Sequence, residues 1–182
     1  MSYTEIYKFN ENKDIELIGE TPNSFRGAMA IWTLLEERYL PSLPPLAWSW
    51  GTDKEEKYHS RTLPSFDGED KMQEIWNLFE DERLSEQERL VLGTTFDYVV
   101  IRSIHIPKVI ESFRSFEDEG RTTLKEQADI IEKAFNEGDI TAICWNQTSV
   151  NSDAWEGDYD EESDECTVYN LDRYSKHQFL FT

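Results

Sequence analysis

Ile140-Thr141-Ala142-Ile143-Cys144-Trp145 is an apolar run of strand length. It passes through Asn146-Gln147-Thr148-Ser149 into Asp153-Ala154-Trp155-Glu156-Gly157-Asp158-Tyr159-Asp160-Glu161-Glu162-Ser163-Asp164-Glu165. The unbroken apolar character of the first part predicts a central strand buried on both faces. The last part carries eight carboxylates in thirteen residues, with no Lys or Arg. It predicts an acidic loop over 151–165, studded with aromatic side chains.

Upstream of this stretch, Thr123-x-x-Glu126 has the form of a capping box. The helix behind it would bury Leu124, Ala128, Ile131 and Phe135 and stop at Gly138. His105-Ile106-Pro107 leads into a helix carrying Val109, Ile110, Phe113 and Phe116. Thr95 to Ile101 reads as a strand, because Val99, Val100 and Ile101 are β-branched. Ser85-x-x-Glu88 is a second capping box, with Gly93 as the stop of its short helix. Asp70 to Asp81 reads as a helix with Met72, Ile75, Trp76 and Phe79 on one face.

At the start of the chain, Tyr3 to Phe9 and Asp14 to Gly19 read as strands of a hairpin, joined through Asn10-Glu11-Asn12-Lys13. Thr21-Pro22 reads as the opening of a helix, with Phe25, Ala28, Met29, Trp32 and Leu35 as its core stripe and Pro41 as its stop. Downstream, Cys166 to Tyr169 and His177 to Phe181 are short strands that would pair beside the central one. This order predicts one α+β domain over 1–182. Its sheet would be mixed or antiparallel, of about five to six strands, with helices packed mainly on one face.

The stretch 41–69 breaks the pattern. Pro41, Pro44, Pro45 and Pro64 exclude a long helix there, so a long irregular loop is expected. Lys54, Lys57, His59 and Arg61 make it locally basic. Either these are solvated charges on a packed loop, or His59 and Arg61 meet a phosphate.

Composition narrows the partners. Six Trp, ten Phe and eight Tyr supply enough large apolar surface for a core in 182 residues. The formal net charge of −20 works against free nucleic acid and against anionic membranes, both of which need a basic surface. A basic protein surface or a cation is the natural partner, and a purely solubilising surface charge is the competing reading. No apolar run approaches the roughly 18 residues of a membrane span. Two cysteines are too few for a disulfide scaffold or a four-Cys zinc site, and a reducing cytoplasm is expected.

No glycine-rich phosphate loop, HExxH, CxxC or GxSxG is present. Asp158-x-Asp160-x-x-x-Asp164 lacks the spacing and glycine of a calcium loop. Asp158, Asp160, Glu161 and Glu162 would gather a divalent cation only weakly, so no metal site and no cofactor is assigned. The acidic stretch reads instead as a contact surface. Asp153, Glu156, Asp158, Asp160, Glu161, Glu162, Asp164 and Glu165 would imitate a phosphate backbone, with Trp155 and Tyr159 as anchors. The competing reading is a solvated loop. Metal-independent RNA cleavage would need an acid–base pair and a cation at the phosphate. His59, Arg61 and His105 are the candidates, with His177, Asp67 and Asp97 behind them.

Asn23-Ser24-Phe25-Arg26-Gly27-Ala28-Met29-Ala30-Ile31-Trp32, Thr94-Thr95-Phe96-Asp97 and Cys144-Trp145-Asn146-Gln147-Thr148-Ser149-Val150 resemble segments of small acidic proteins of phages and mobile elements. In size and character the chain resembles the type II-A anti-CRISPR proteins. The resemblance implies a partner: the RNA-guided nuclease of type II immunity with its guide RNA, in the cytoplasm of a bacterial host cell. It also implies two modes, occupation of the basic nucleic-acid channel or disabling of the guide. Two other classes stay open: an immunity- or antitoxin-type protein neutralising a basic toxin, and an enzyme of unknown reaction.

Overall fold

The computed structural model describes residues 2–23, 26–40, 69–148 and 154–181, with side chains from 73 onward in the third stretch. Among them are seven strands: β1 (Tyr3–Phe9), β2 (Ile15–Pro22), β3 (Val99–Arg102), β4 (Ala142–Gln147), β5 (Glu156–Asp160), β6 (Glu165–Val168) and β7 (Gln178–Phe179). Five helices accompany them: α1 (Ala28–Tyr39), α2 (Glu69–Asn77), α3 (Glu86–Gly93), α4 (Ile106–Ser115) and α5 (Leu124–Glu137). The fold is α+β, and the main sheet has the order β2-β1-β4-β3-β7. Its pairs are antiparallel except β3–β7, which is parallel, so the sheet is mixed.

The apolar run forms the middle strand of five, and all six residues of β4 are buried. Strand alternation sends its side chains to two different cores. Ile143 and Trp145 join Ile6 and Ile101 on the face that meets the helices. There they pack with Leu35, Ile75, Leu90, Val109, Phe113 and Ile131, drawn from all five helices. Ala142 and Cys144 join Phe9 and Val100 on the opposite face, covered by Ala154, Trp155, Tyr169 and Leu171. The helices therefore lie mainly on one face. A non-helical segment closes the other.

Three local expectations are overturned. Thr21-Pro22 does not start a helix. The two residues complete β2, opposite Thr4 and Tyr3. Proline fits there because β2 is the last strand of the sheet, and among the described residues no outer strand pairs with it at Pro22 to receive an N–H. The helix starts later, at Ala28, behind an N-cap glycine that makes no side-chain cap. Thr123 makes no capping bond either. Its hydroxyl is held instead by Gln127 Nε2 and Thr21 Oγ1, each at 3.0 Å. Gln127 passes the connection on by accepting from Trp145 Nε1 at 3.2 Å. A buried network thus outcompetes the local box. Third, Cys166–Tyr169 does not pair beside the central strand. β6 pairs with β5 and not beside β4; just past it, Tyr169 O accepts from Ile15 N at 3.0 Å and Asn170 bridges Asp14, at the start of β2, while β7 joins the sheet beside β3.

Other local readings stand. Ser85 and Glu88 form a reciprocal capping box. Gly138 takes φ 85° after α5, where a side chain would be strained. The β3 strand begins only at Val99, because residues 94–98 form turns that end at Tyr98, with φ 57°. Residues 41–68 lie outside the described residues, so the long loop is described only through its last residue, Glu69, which begins α2.

Asp118 organises the turn between α4 and α5. It accepts from Gly120 N at 2.9 Å, from Thr122 N at 3.3 Å and from the Thr122 hydroxyl. Burial alone would raise its carboxyl, but these bonds outweigh burial and hold it below its ordinary value. A depressed folded-state pKa contributes stability that is present above the unfolded value, about 4, and is lost as pH falls through the folded value. Asp118→Asn should therefore flatten the acid limb of the stability profile, measured as urea midpoints across pH. An unchanged limb would remove Asp118 from this role.

Candidate contact surface

From Glu156 onward the acidic stretch is not a loop but a hairpin. β5 and β6 pair antiparallel, with Asp160 opposite Glu165 and Tyr159 opposite Cys166. Asp164 closes the turn with φ 58°, and its N–H donates to Asp160 O at 2.9 Å. The Tyr159 hydroxyl donates to Asp164 Oδ1. Glu162 N donates to Asp160 Oδ1 at 2.9 Å. That bond, with help from Ser163, holds the Asp160 carboxyl below its ordinary value, so Asp160 is ionised at neutral pH.

Glu156, Asp158, Asp160, Glu161, Glu162, Asp164 and Glu165 are all exposed. Among the described residues none of them is paired with a Lys or Arg. Asp160 and Glu165 are directly opposed like charges, which costs stability in the free protein. A cationic partner would relieve that repulsion. Tyr159 is 58% exposed and Val168 56%, so the charged ribbon carries two apolar contacts.

The hairpin is tied to the second core at its base. Trp155 is buried, and its Nε1 donates to Trp145 O at 2.8 Å. Its ring meets Phe9, Tyr98 and Tyr169 edge-on, at centroid distances of 6.0, 5.8 and 5.3 Å. Tyr174 forms the second tie. It stacks on Tyr169 at 4.9 Å, lies 2.8 Å from Thr167 Oγ1 and accepts from Asp158 N at 3.3 Å. Gly157 lets the two strands approach where the register shifts between Glu156 and Tyr159. A Cβ there would sit 2.1 Å from Thr167 O.

Trp155 is thus a foundation of the surface and not an anchor presented to a partner. Tyr159 is the exposed aromatic. Asp153, His59, Arg61 and Asp67 lie outside the described residues. His105 sits against the Phe181 ring at 5.1 Å and does not cap α4. His177 Nδ1 is 2.8 Å from the Tyr169 hydroxyl, and burial lowers its pKa. Asp97 is exposed. None of the described candidates is brought together with another as an acid–base pair. No group of three or more His, Cys, Asp or Glu among the described residues is arranged to hold a metal ion. Sequence reasoning missed Gly157, Thr167 and Tyr174. The one available signal was a glycine inside a candidate extended segment.

Compared with protein-family models, curated proteins and solved structures, the chain has no match. No described helix is long and apolar enough to cross a membrane.

Two substitutions separate the hairpin from its foundation. Gly157→Ala should lower amide-exchange protection across 156–168 while the urea midpoint of the main sheet stays unchanged. Trp155→Ala should cost about 3–5 kcal/mol of global stability, read by the same urea titration. Equal effects from both would mean that the hairpin and the sheet unfold as one unit.

Proposed function

We propose that this protein inhibits a type II CRISPR RNA-guided nuclease by binding the nuclease or its guide complex through the acidic hairpin. The observation that carries the reading is a scaffolded ribbon of seven exposed carboxylates over 156–165, without a cation among them. Such a ribbon suits a cleft that normally holds a phosphate backbone. Attraction to that cleft is strong at close range and is screened beyond about 8 Å at physiological salt. The partner's own cations, and not the net charge of −20, would then set the fit. The same ribbon suits a basic toxin, so an immunity- or antitoxin-type role is the second reading. Cleavage of the guide RNA would need residues that meet at a phosphate. Of the candidates, His105 has an aromatic neighbour and no acid–base partner among the described residues.

The test is to incubate the protein with a guide-loaded type II nuclease, then follow target-DNA cleavage and run the guide on a denaturing gel. The expected outcome is lost DNA cleavage with an intact guide. A combined Asp158→Asn, Asp160→Asn, Glu161→Gln and Glu162→Gln variant should restore cleavage, and rising salt should do the same. Inhibition that survives those four changes would end the hairpin reading. A shortened guide would make the protein a ribonuclease. Normal cleavage with the unaltered protein would favour the toxin-partner class.

A further inference from the structure

His177 stands immediately before β7, where the covering segment returns to the main sheet. Its Nδ1 lies 2.8 Å from the Tyr169 hydroxyl. Its ring meets Tyr169 and Phe179 edge-on, at centroid distances of 6.0 and 5.4 Å. Tyr169 is fully buried in the second core, and the Tyr174 ring stacks on it at 4.9 Å. One phenol thus joins three supports: Trp155 at the base of the hairpin, Tyr174 along its side and His177 at the entrance to β7.

The Tyr169–His177 bond has a direction. The backbone N–H groups of His177 and Lys176 approach the phenol oxygen. The oxygen therefore accepts from the backbone, and its own hydrogen goes to Nδ1, which fixes the neutral tautomer with the proton on Nε2. Protonation would set a second hydrogen on Nδ1 against the phenol hydrogen. Among the described residues the Tyr169 hydroxyl has no other acceptor within reach. Burial also disfavours the imidazolium and outweighs the Asp172 carboxylate, which favours it, so the His177 pKa lies below its ordinary value. Tyr169 and Asp172 are the titratable groups that act on the ring. The β3 residues paired with β7, Val99 and Val100, carry no charge.

We infer that His177 is a proton-operated latch on the acidic hairpin. The neutral ring holds Tyr169, Tyr174 and the entrance to β7 together. The protonated ring moves to water and draws the covering segment away from the second core. Tyr174 then leaves Thr167 and Asp158 N, and the hairpin keeps only its Trp155 tie. The sign follows from linkage. The open state takes up a proton near the ordinary value, about 6.5, and the closed state at a lower pH. Opening therefore gains up to about tenfold for each pH unit below about 6.5, until the closed value is reached. The regulation of a contact surface by this latch rests on the proposed function. The latch itself does not.

The test uses the full chain, isotope-labelled, between about pH 7.5 and 5, above the range in which ordinary carboxylates titrate. The His177 ring resonances are followed by NMR, and amide exchange is measured with the intrinsic chemical rates divided out. His177 should titrate below about 6.5. Opening across 156–168 should rise several-fold over the range, while the amides of β1 and β4 keep their protection. His177→Phe, which keeps an aromatic ring and takes no proton, should flatten that response. Tyr169→Phe, which keeps the ring and removes the phenol, should move the His177 titration upward. A His177 titration at or above the ordinary value, the same pH response in His177→Phe, or an unmoved titration in Tyr169→Phe would each overturn the latch. No nuclease is present, so failure here leaves the inhibition assay untouched, and failure of inhibition leaves the latch standing.

Discussion

Burial of β4 on both faces is the constraint on which the rest depends. A strand with six buried residues needs a hydrogen-bonded neighbour on each edge and an apolar cover on each face. β1 and β3 supply the edges. The helices cover one face through Ile143 and Trp145, and the segment around Trp155 and Tyr169 covers the other through Ala142 and Cys144. Cys144 illustrates the consequence. It is fully enclosed, and desolvation raises its thiol pKa well above the ordinary value. It therefore packs as a small apolar group with no reactive thiolate.

The acidic hairpin is a by-product of that cover, and this gives it its mechanical character. Seven mutually repelling carboxylates would favour an expanded chain if left alone. Their strands are instead held at the base by an indole bonded to a β4 carbonyl and along the side by Tyr174. A pre-ordered ribbon loses less conformational entropy on binding than a free acidic loop would. The exposed charges are thereby separated from the folding problem. Stability comes from aromatic burial beneath them, and the ribbon is free to serve an encounter.

The described cations are distributed differently. Arg26, Arg38, Arg83, Arg114 and Arg121 are each within ion-pair distance of a carboxylate on or near the helical side. The non-helical side carries the hairpin, whose carboxylates have no Lys or Arg partner among the described residues, with Arg173 and Lys176 further along the covering segment. Exposed ion pairs contribute little stability individually, so this distribution bears more on how the molecule meets others than on how it folds. Edge strand β2 is also guarded against pairing with other chains. It carries a register irregularity opposite Ile6 and Tyr7, together with Glu16 and Glu20.

Much of this was legible in the chain itself. The apolar run announced a central strand, the periodic helices announced one core face, and Ser85-x-x-Glu88 announced its cap, because each signal is local and no distant group competes for it. Thr21-Pro22 and Thr123-x-x-Glu126 misled for the opposite reason. Both threonine hydroxyls are claimed by a network joining residues about a hundred positions apart, which no local pattern reveals. The acidity of 153–165 was plain from composition. Its becoming a hairpin was not, since β5 and β6 are strand-like only because Gly157 permits close approach and Trp155 and Tyr174 hold the base. Sequence by itself determined the fold class, the central strand and the sign of the surface charge. Tertiary structure alone decided which aromatic is buried and which carboxylates stand in register, because those depend on strand pairing between distant segments.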